Sequence, residues 1–152
     1  MGLQGKVAVV TGGAGTLGLA AVRVLLEHGA RVALVDLDAL RLDMLSRFLR
    51  GERIVGAADV CDAAAVRAAH ERVAADLGPV DILVNAAGGS SDTGVAATDE
   101  AAWRRILAAR VSGTFLWSRV VFPGMLARGF GRIVNVAGRA SATAPGGPAD
   151  AA

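Results

Sequence analysis

The sequence predicts a doubly wound α/β fold, in which helices cover both faces of a parallel sheet. Short apolar runs of strand length alternate with amphipathic helical patterns along most of the chain. Glycine ends two of the helical patterns, at Gly29 and Gly78. The 152 residues, of which 53% are hydrophobic, suffice to bury one core. We therefore expect a single domain over residues 1–137, followed by an irregular tail over 138–152.

The first half of the chain alternates strands and helices. The run Val7-Ala8-Val9-Val10 within residues 6–11 predicts a buried strand, because a strand covered on both faces is apolar throughout. Apolar residues at three- and four-residue spacing predict a helix over 17–28, which Gly29 ends. The same two criteria predict the next three elements, a strand over 31–36, a helix over 39–49 and a strand over 54–58.

The second half continues the alternation. Asp62 is predicted to cap a helix over 63–77, and a strand follows over 81–85. A loop rich in Gly, Ser and Thr over 86–97 precedes a long helix from Thr98 or Asp99 to about Arg128. We expect Pro123 to kink this helix or end it early, and a fifth strand over 133–137. One apolar face of the long helix is predicted to comprise Trp103, Ile106, Leu107, Val111, Thr114 and Trp117.

Composition excludes several classes of protein. The high hydrophobic content excludes intrinsic disorder. A membrane span would need about 18 or more consecutive apolar residues, and the apolar runs here have strand length. The short polar start lacks the features of a secretory signal, so we expect a cytoplasmic protein. The formal charge of +2 is spread along the chain without a basic block, which predicts no nucleic-acid partner.

Cysteine and metal chemistry are also limited. Cys61 is the single cysteine, so there is no internal disulfide and no cysteine-based zinc site. We expect it to be a small packing residue. Asp59 and Asp62 flank it without a third ligand, and no metal site is predicted. His28 is interpreted as a helix-end residue, and His70 as a surface or partner-facing one.

The segment Thr11–Gly18 is the strongest motif. Gly13, Gly15 and Gly18 form G-x-G-x-x-G between the first strand and the first helix. Glycine permits the turn and lets the backbone approach a pyrophosphate, while the helix start at Thr16 and Leu17 supplies oriented N–H donors. A dinucleotide is therefore the predicted ligand. The alternative is a glycine-rich turn that binds nothing.

Asp36 is the second element of this prediction. It ends the second strand, 18 residues after Gly18, where a carboxylate accepts hydrogen bonds from adenosine ribose hydroxyls. Its charge would repel a 2′-phosphate, and residues 12–18 contain no Arg to neutralise one, so NAD is favoured over NADP. Leu37, next to it, is a further candidate contact. The alternative is that Asp36 only caps a turn.

From residue 6 to 137 the chain resembles the short-chain dehydrogenase/reductase family. Asp59-Val60 resembles its adenine-contacting pair, Asn85-Ala86-Ala87-Gly88 its turn after strand four, and residues 131–136 its strand-five signature. The resemblance implies a Rossmann-like sheet in the order 3-2-1-4-5, an NAD cofactor, and hydride transfer with a small carbonyl or alcohol substrate. The spacing of Gly12, Gly15 and Gly18 matches the family's extended branch, which we interpret as a tolerated variant.

The catalytic positions depart from the family. Arg110 stands where the family has its relay Asn, and Gly138 where it has its Ser. The family's Tyr would fall near Ala151 and its Lys past the last residue; the sequence has no Tyr, and its one Lys is Lys6. Ser141 is a weak substitute, and Arg110 is interpreted as holding an anion or as a solvated or interface side chain. No catalytic residue is assigned, so we expect little or no turnover.

Three hypotheses follow. The first is the dinucleotide-binding portion of such an enzyme, cut short or inherently incomplete, with strand five as an open edge and self-association through the helix over 98–128. The second is a non-catalytic NAD-sensing or assembly module. The third is an S-adenosylmethionine-dependent methyltransferase, which also uses a glycine loop and an acid after strand two.

Overall fold

The computed structural model of the chain describes residues 2–88 and 98–137. Its five parallel strands form one sheet in the order β3-β2-β1-β4-β5, which confirms the predicted fold class. The strands are β1 (Val7–Thr11), β2 (Arg31–Asp36), β3 (Arg53–Ala57), β4 (Ile82–Asn85) and β5 (Arg132–Asn135). The helices are α1 (Thr16–Glu27), α2 (Ala39–Ser46), α3 (Ala63–Asp76), α4 (Glu100–Leu107) and α5 (Gly113–Ala127), with a π-helical turn (Ala108–Ser112) between the last two.

The core lies in two layers, one on each face of the sheet. Because side chains alternate along a strand, Val7 and Val9 of β1 face one layer and Ala8 and Val10 the other. Helices α1 and α2 cover the second layer, and α3 and α5 cover the first. All five residues of β1 are buried, as the apolar run predicted for a strand covered on both sides.

The register of the sheet brings several strand ends to one edge. Thr11 pairs with Asn85 of β4, and Asn85 pairs with Asn135 of β5. Asp36 ends β2, one residue beyond the partner of Thr11. Loops that follow these strands therefore meet at the carboxyl edge of the sheet, where open α/β sheets bind ligands.

Helix ends follow the predicted signals with one correction. The Asp62 carboxylate caps α3 by accepting hydrogen bonds from the N–H groups of Ala64 (2.8 Å) and Ala65 (3.3 Å), as predicted. Helix α2 ends at Ser46 instead of residue 49. The Arg53 guanidinium donates to the Ser46 carbonyl at 2.9 and 2.5 Å, which satisfies a carbonyl at the end of this helix.

The predicted long helix is the main correction in the fold. It begins at the Asp99 cap, as expected, but the π-helical turn divides it. Each extra residue rotates the following face by about 100°, so the predicted apolar face is not continuous. Trp117 is fully buried, whereas Trp103, Leu107 and Val111 are exposed. The residues that α5 buries are Gly113, Trp117, Val121 and Met125.

Pro123 does not end α5, which continues to Ala127. Its ring lies on the exposed side of the helix, where water can bind the carbonyl that its missing N–H leaves unpaired. Within the described residues, no helix is both long enough and apolar enough to cross a membrane. The predicted tail falls outside the described residues, as do positions 89–97 of the predicted loop.

Candidate functional site

A cavity of about 330 Å³ opens at the carboxyl edge, beyond the ends of β1, β2 and β4. Many of the predicted site residues line it together, namely Gly12, Gly15, Asp36, Leu37, Asp59, Val60, Ala86, Ala87 and Gly88. Other predicted residues do not line it, namely Gly13, Thr16, Leu17, Gly18 and Asn85. The fold thus brings predicted site residues from four parts of the chain together at one cavity.

The turn of the glycine loop is made at Gly12. Its φ of +66° is left-handed, and a Cβ there would lie 2.6 Å from the Ala86 carbonyl oxygen. A Cβ on Gly18 would overlap the Gly12 carbonyl, so this glycine lets α1 approach the loop. Gly13 is instead buried against Leu34, whose Cβ would lie 3.1 Å from an added Cβ. The close backbone approaches therefore occur at Gly12 and Gly18, the first and last glycines of the Gly12, Gly15, Gly18 spacing, and not at Gly13.

The start of α1 presents backbone donors. Gly15 is its N-cap and provides no side-chain hydrogen bond. The first N–H groups of a helix have no intrahelical acceptor, which applies here to Thr16, Leu17 and Gly18. An anion placed over this turn would accept these hydrogen bonds and face the positive end of the helix dipole.

Asp36 fixes the other side of the loop. Its carboxylate accepts hydrogen bonds from the N–H of Ala14 at 3.0 Å and of Asp38 at 3.3 Å. The bond to Asp38 is the turn-capping role that was the alternative interpretation. Because an ionised carboxylate has about four acceptor sites, two such bonds leave capacity for a ligand. The geometry thus shows the turn-capping role, and ribose binding by Asp36 stays a prediction.

Thr11 joins the loop to the turn after β4. The side chain is 1% exposed, and its hydroxyl oxygen accepts hydrogen bonds from the N–H groups of Ala86 and Ala87, each at 3.2 Å. These two contacts hold the turn after β4 against Gly12. Sequence reasoning placed Thr11 in the motif without a role; its position at the end of a fully buried strand was the available signal.

Asp59 and Val60 form the wall beyond β3. The Asp59 carboxylate accepts a hydrogen bond from the Cys61 N–H at 2.8 Å, and Val60 is buried against Gly113, where an added Cβ would lie 2.7 Å from its Cγ2. Cys61 is exposed, so the prediction of a packing residue is wrong: the Asp59 turn directs it outward. Although the residue is exposed, its thiol loses part of its hydration. This loss is the larger cause of a raised pKa of the Cys61 thiol and the Asp59 charge is the smaller one; both disfavour the reactive thiolate.

The β5 side of the edge is built differently. The Asn85 side chain is buried and donates a hydrogen bond to the Asn135 side-chain oxygen at 2.9 Å. It therefore joins two strands and does not line the cavity. Arg110 lies in the π-helical turn, partly buried, and its side chain covers Gly88, where an added Cβ would lie 2.5 Å from Cγ. Positions 138, 141 and 151, where catalytic side chains were sought, fall outside the described residues.

Sequence reasoning missed several residues of the cavity wall, namely Ala14, Asp38, Arg41, Ala58 and Ala109. The Asp38 carboxylate accepts a hydrogen bond from the Arg41 N–H at 2.9 Å and so caps α2. An acid one residue before a helical pattern was the signal that could have identified this cap. No cluster of three metal-ligating side chains occurs in the part of the chain that the structure describes.

The histidines lie away from the cavity wall. His28 is the residue at the end of α1, as predicted, and its Nδ1 lies 2.8 Å from the Val24 carbonyl oxygen. His70 lies on α3 and is partly buried instead of fully on the surface. Burial lowers the pKa of His70 because the imidazolium form loses hydration, and the Glu71 charge offsets part of this effect.

Comparisons with known proteins identify relatives of this chain and of its fold. A family model described as short chain dehydrogenase matches residues 6–149. A D-threitol dehydrogenase from Mycolicibacterium smegmatis is 43% identical over 145 residues, which cover 93% of this chain and 56% of that protein. A galactitol 2-dehydrogenase from Cereibacter sphaeroides is 42% identical, covering 88% of this chain and 53% of that protein.

Solved structures agree. An NAD⁺-bound xylitol dehydrogenase has a TM-score of 0.87 and 31% identity, covering 98% of this chain and 59% of that one. A 3-ketoacyl-(acyl-carrier-protein) reductase from Brucella melitensis, complexed with NADH, has a TM-score of 0.81 and 31% identity, covering 90% and 58%. The chain thus spans a little over half the length of these relatives. The methyltransferase hypothesis receives no support from these matches.

Proposed function

The chain belongs to the short-chain dehydrogenase/reductase family, and from this premise we propose that it binds NAD(H) in the cavity at the carboxyl edge. The observation that carries the proposal is that the Gly12 turn, the Gly15 N-cap of α1 and Asp36 line one cavity. Each supplies what one part of a dinucleotide needs: close backbone approach, N–H donors for the diphosphate, and a carboxylate for ribose hydroxyls.

The residues present fit such a ligand. At Gly12 and Gly18 an added Cβ would meet backbone carbonyls, so the loop cannot carry side chains there. The uncapped start of α1 leaves N–H groups for the diphosphate. In the proposed arrangement Leu37, Asp59 and Val60 border the adenine, while the turn from Ala86 to Gly88 follows the ligand toward β5.

We propose little or no turnover for the chain as it stands. When bound, NAD⁺ would accept a hydride from a small alcohol, and NADH would donate one to a small carbonyl compound. The proton that accompanies this hydride needs a positioned acid or base. The sequence has no Tyr, and Lys6 lies at the amino end of β1, 4.0 Å from Asp81 and at the opposite edge of the sheet.

The binding proposal is tested by calorimetry with NADH. We expect Asp36→Ala to weaken binding by about 1–3 kcal/mol, because the ribose hydroxyls lose their charged acceptor. The matched control is Asp43→Ala, an exposed carboxylate on α2 that pairs with Arg47 outside the cavity. Absence of binding to the folded wild-type chain would refute the proposal, and equal affinity of wild type and Asp36→Ala would refute the role of Asp36.

A second candidate is a non-catalytic NAD-sensing or assembly module. It is favoured by the exposed apolar side chains of α4, the π-helical turn and α5, including Leu107, Val111, Phe115 and Phe122.

We propose that these residues join two copies of the chain. Sedimentation should show a dimer that Phe115→Glu dissociates, while Leu40→Glu, on α2 at the other face, leaves it intact. Turnover with a panel of alcohols and ketones would exclude the non-catalytic module.

A further inference from the structure

A second cavity, of about 440 Å³, lies between the second half of α1 and the segment that follows α2. We propose that it is a binding site for an aromatic monocarboxylate, whose carboxylate pairs with Arg23 and Arg50 and whose ring packs against Phe48. The site is independent of the proposed NAD(H) binding, because it shares no lining residue with the cavity at the carboxyl edge.

The floor of this second cavity is apolar. It contains Leu26 of α1 and Leu49, which are 8% and 7% exposed and belong to the core layer that α1 and α2 cover. Gly51 has a φ of +109°, and a Cβ added there would lie 3.0 Å from Leu26 Cδ2. The backbone at Gly51 therefore lies close to Leu26. An apolar group that enters the cavity exchanges water for contact with these side chains.

One wall of the cavity is held in place by Arg53, the first residue of β3. Its guanidinium donates hydrogen bonds to the Ser46 carbonyl oxygen at 2.9 and 2.5 Å, and to the Gly51 carbonyl oxygen at 2.9 Å. These bonds join the two ends of the segment that carries Phe48 and Arg50. The wall is thus fixed before a ligand binds, which lowers the entropic cost of binding.

Two arginines from different elements line the cavity, Arg23 from α1 and Arg50 from the segment after α2. Arg47, nearby in sequence, forms an ion pair with Asp43 at 2.6 Å. In contrast, neither Arg23 nor Arg50 has a side-chain hydrogen bond or ion pair within residues 2–88 and 98–137. Their guanidinium donors are therefore available to a carboxylate, which arginine binds with two parallel hydrogen bonds.

Glu27 limits the charge of the ligand. It lies one turn after Arg23 on α1 and lines the same cavity, so the lining carries two positive charges and one negative charge. A single carboxylate on the ligand is attracted by this balance, whereas a second negative charge would be repelled by Glu27. The lining therefore favours a monoanion over a dianion such as a phosphate monoester.

Phe48 favours an aromatic group on the ligand. Its side chain is 79% exposed and lines the cavity beside the leucine floor. Packing of two aromatic rings contributes more than the buried area alone, because their quadrupoles favour offset or edge-to-face contact. An aromatic carboxylate therefore uses the ring, the floor and the two arginines together, whereas an aliphatic one lacks the contact between rings.

Calorimetry with 2-naphthoate tests the site, with neutral 2-naphthamide as the matched ligand without charge. The amide should bind about tenfold or more weakly, since charge-assisted hydrogen bonds are lost. Arg23→Gln and Arg50→Gln should each weaken naphthoate about fivefold or more, on the same grounds. The matched control is Arg47→Gln, which removes the same charge outside the cavity and should change naphthoate affinity less than about twofold.

Octanoate separates the ring from the charge. It should bind more weakly than naphthoate, and Phe48→Ala should remove this preference while both ligands still respond to Arg23→Gln. The proposal is overturned if naphthoate does not bind, if naphthamide or octanoate binds equally well, or if Arg47→Gln has the same effect as the two cavity variants. Competition between naphthoate and NADH would also overturn it, because it would place naphthoate at the carboxyl edge. Failure of wild type to bind NADH refutes only the proposed function, since naphthoate binding is measured without dinucleotide.

Discussion

Two regions share the carboxyl edge of the sheet and differ in how they are built. The glycine-loop region, comprising Thr11–Gly18 and Asp36, follows the fully buried strand β1 and is fixed by hydrogen bonds from backbone N–H groups to the side chains of Asp36 and Thr11. The β5 region, comprising Asn85, the π-helical turn and β5, borders an edge strand whose residues are mostly exposed. The proposed NAD(H) binding therefore uses the first region, while the second contains Arg110, where the family resemblance predicts an Asn.

The difference reflects the physical source of each function. Diphosphate binding uses backbone N–H groups and the absence of side chains, so a few local residues suffice. Proton transfer needs particular ionisable side chains held at one point, and the family resemblance predicts them in segments around and beyond β5. The proposed binding therefore depends only on segments present in this chain, which spans a little over half the length of its relatives.

The largest effect on the glycine-loop region is expected from a substitution at Gly12. We expect Gly12→Ala to cost about 3 kcal/mol of unfolding free energy, because it adds left-handed strain to a collision with the Ala86 carbonyl. NADH binding should fall with it. Gly129→Ala is the matched control: its φ of +64° is similar, but nothing lies within 4 Å of the added Cβ.

Chemical denaturation of both variants measures the difference. The control should cost only about 1–2 kcal/mol, from the left-handed backbone alone, and should leave NADH binding intact. Equal destabilisation by the two substitutions would show that close approach of the loop to the turn after β4 is not required.

Much of this architecture was predictable from local sequence. The strand order, the Asp62 cap and the position of Asp36 follow from periodicity, capping chemistry and the family resemblance. The π-helical turn was not predictable, because its register depends on how α5 packs Trp117 into the core. Arg41 was not predicted as a cavity residue because residues 12–18 contain no Arg, whereas the fold brings this one to the cavity from α2.

Thr11 tests the connection between the two regions. We expect Thr11→Val to cost about 1–3 kcal/mol, because the N–H groups of Ala86 and Ala87 lose their shared acceptor in a buried position. The control is Thr16→Val, at an exposed position at the start of α1, whose unfolding free energy is expected to lie within about 0.5 kcal/mol of the wild-type value. NADH affinity should fall with Thr11→Val even where the chain remains folded; unchanged affinity would mean that the loop does not depend on the turn after β4.

The smallest effect is expected at His70, which belongs to neither region. Burial lowers its pKa in the folded chain, so the unfolded chain binds the proton first as pH falls. Unfolding free energy should therefore decline as pH drops below about 6.5, the ordinary value for histidine, and level off below the folded-state pKa. His70→Gln removes this titration, and urea unfolding at a series of pH values should show a flatter curve for the variant than for wild type. Parallel curves would contradict the role of His70. A decline that His70→Gln removes, with NADH affinity unchanged in the folded chain, would place this pH dependence in the α3 layer and outside the carboxyl edge.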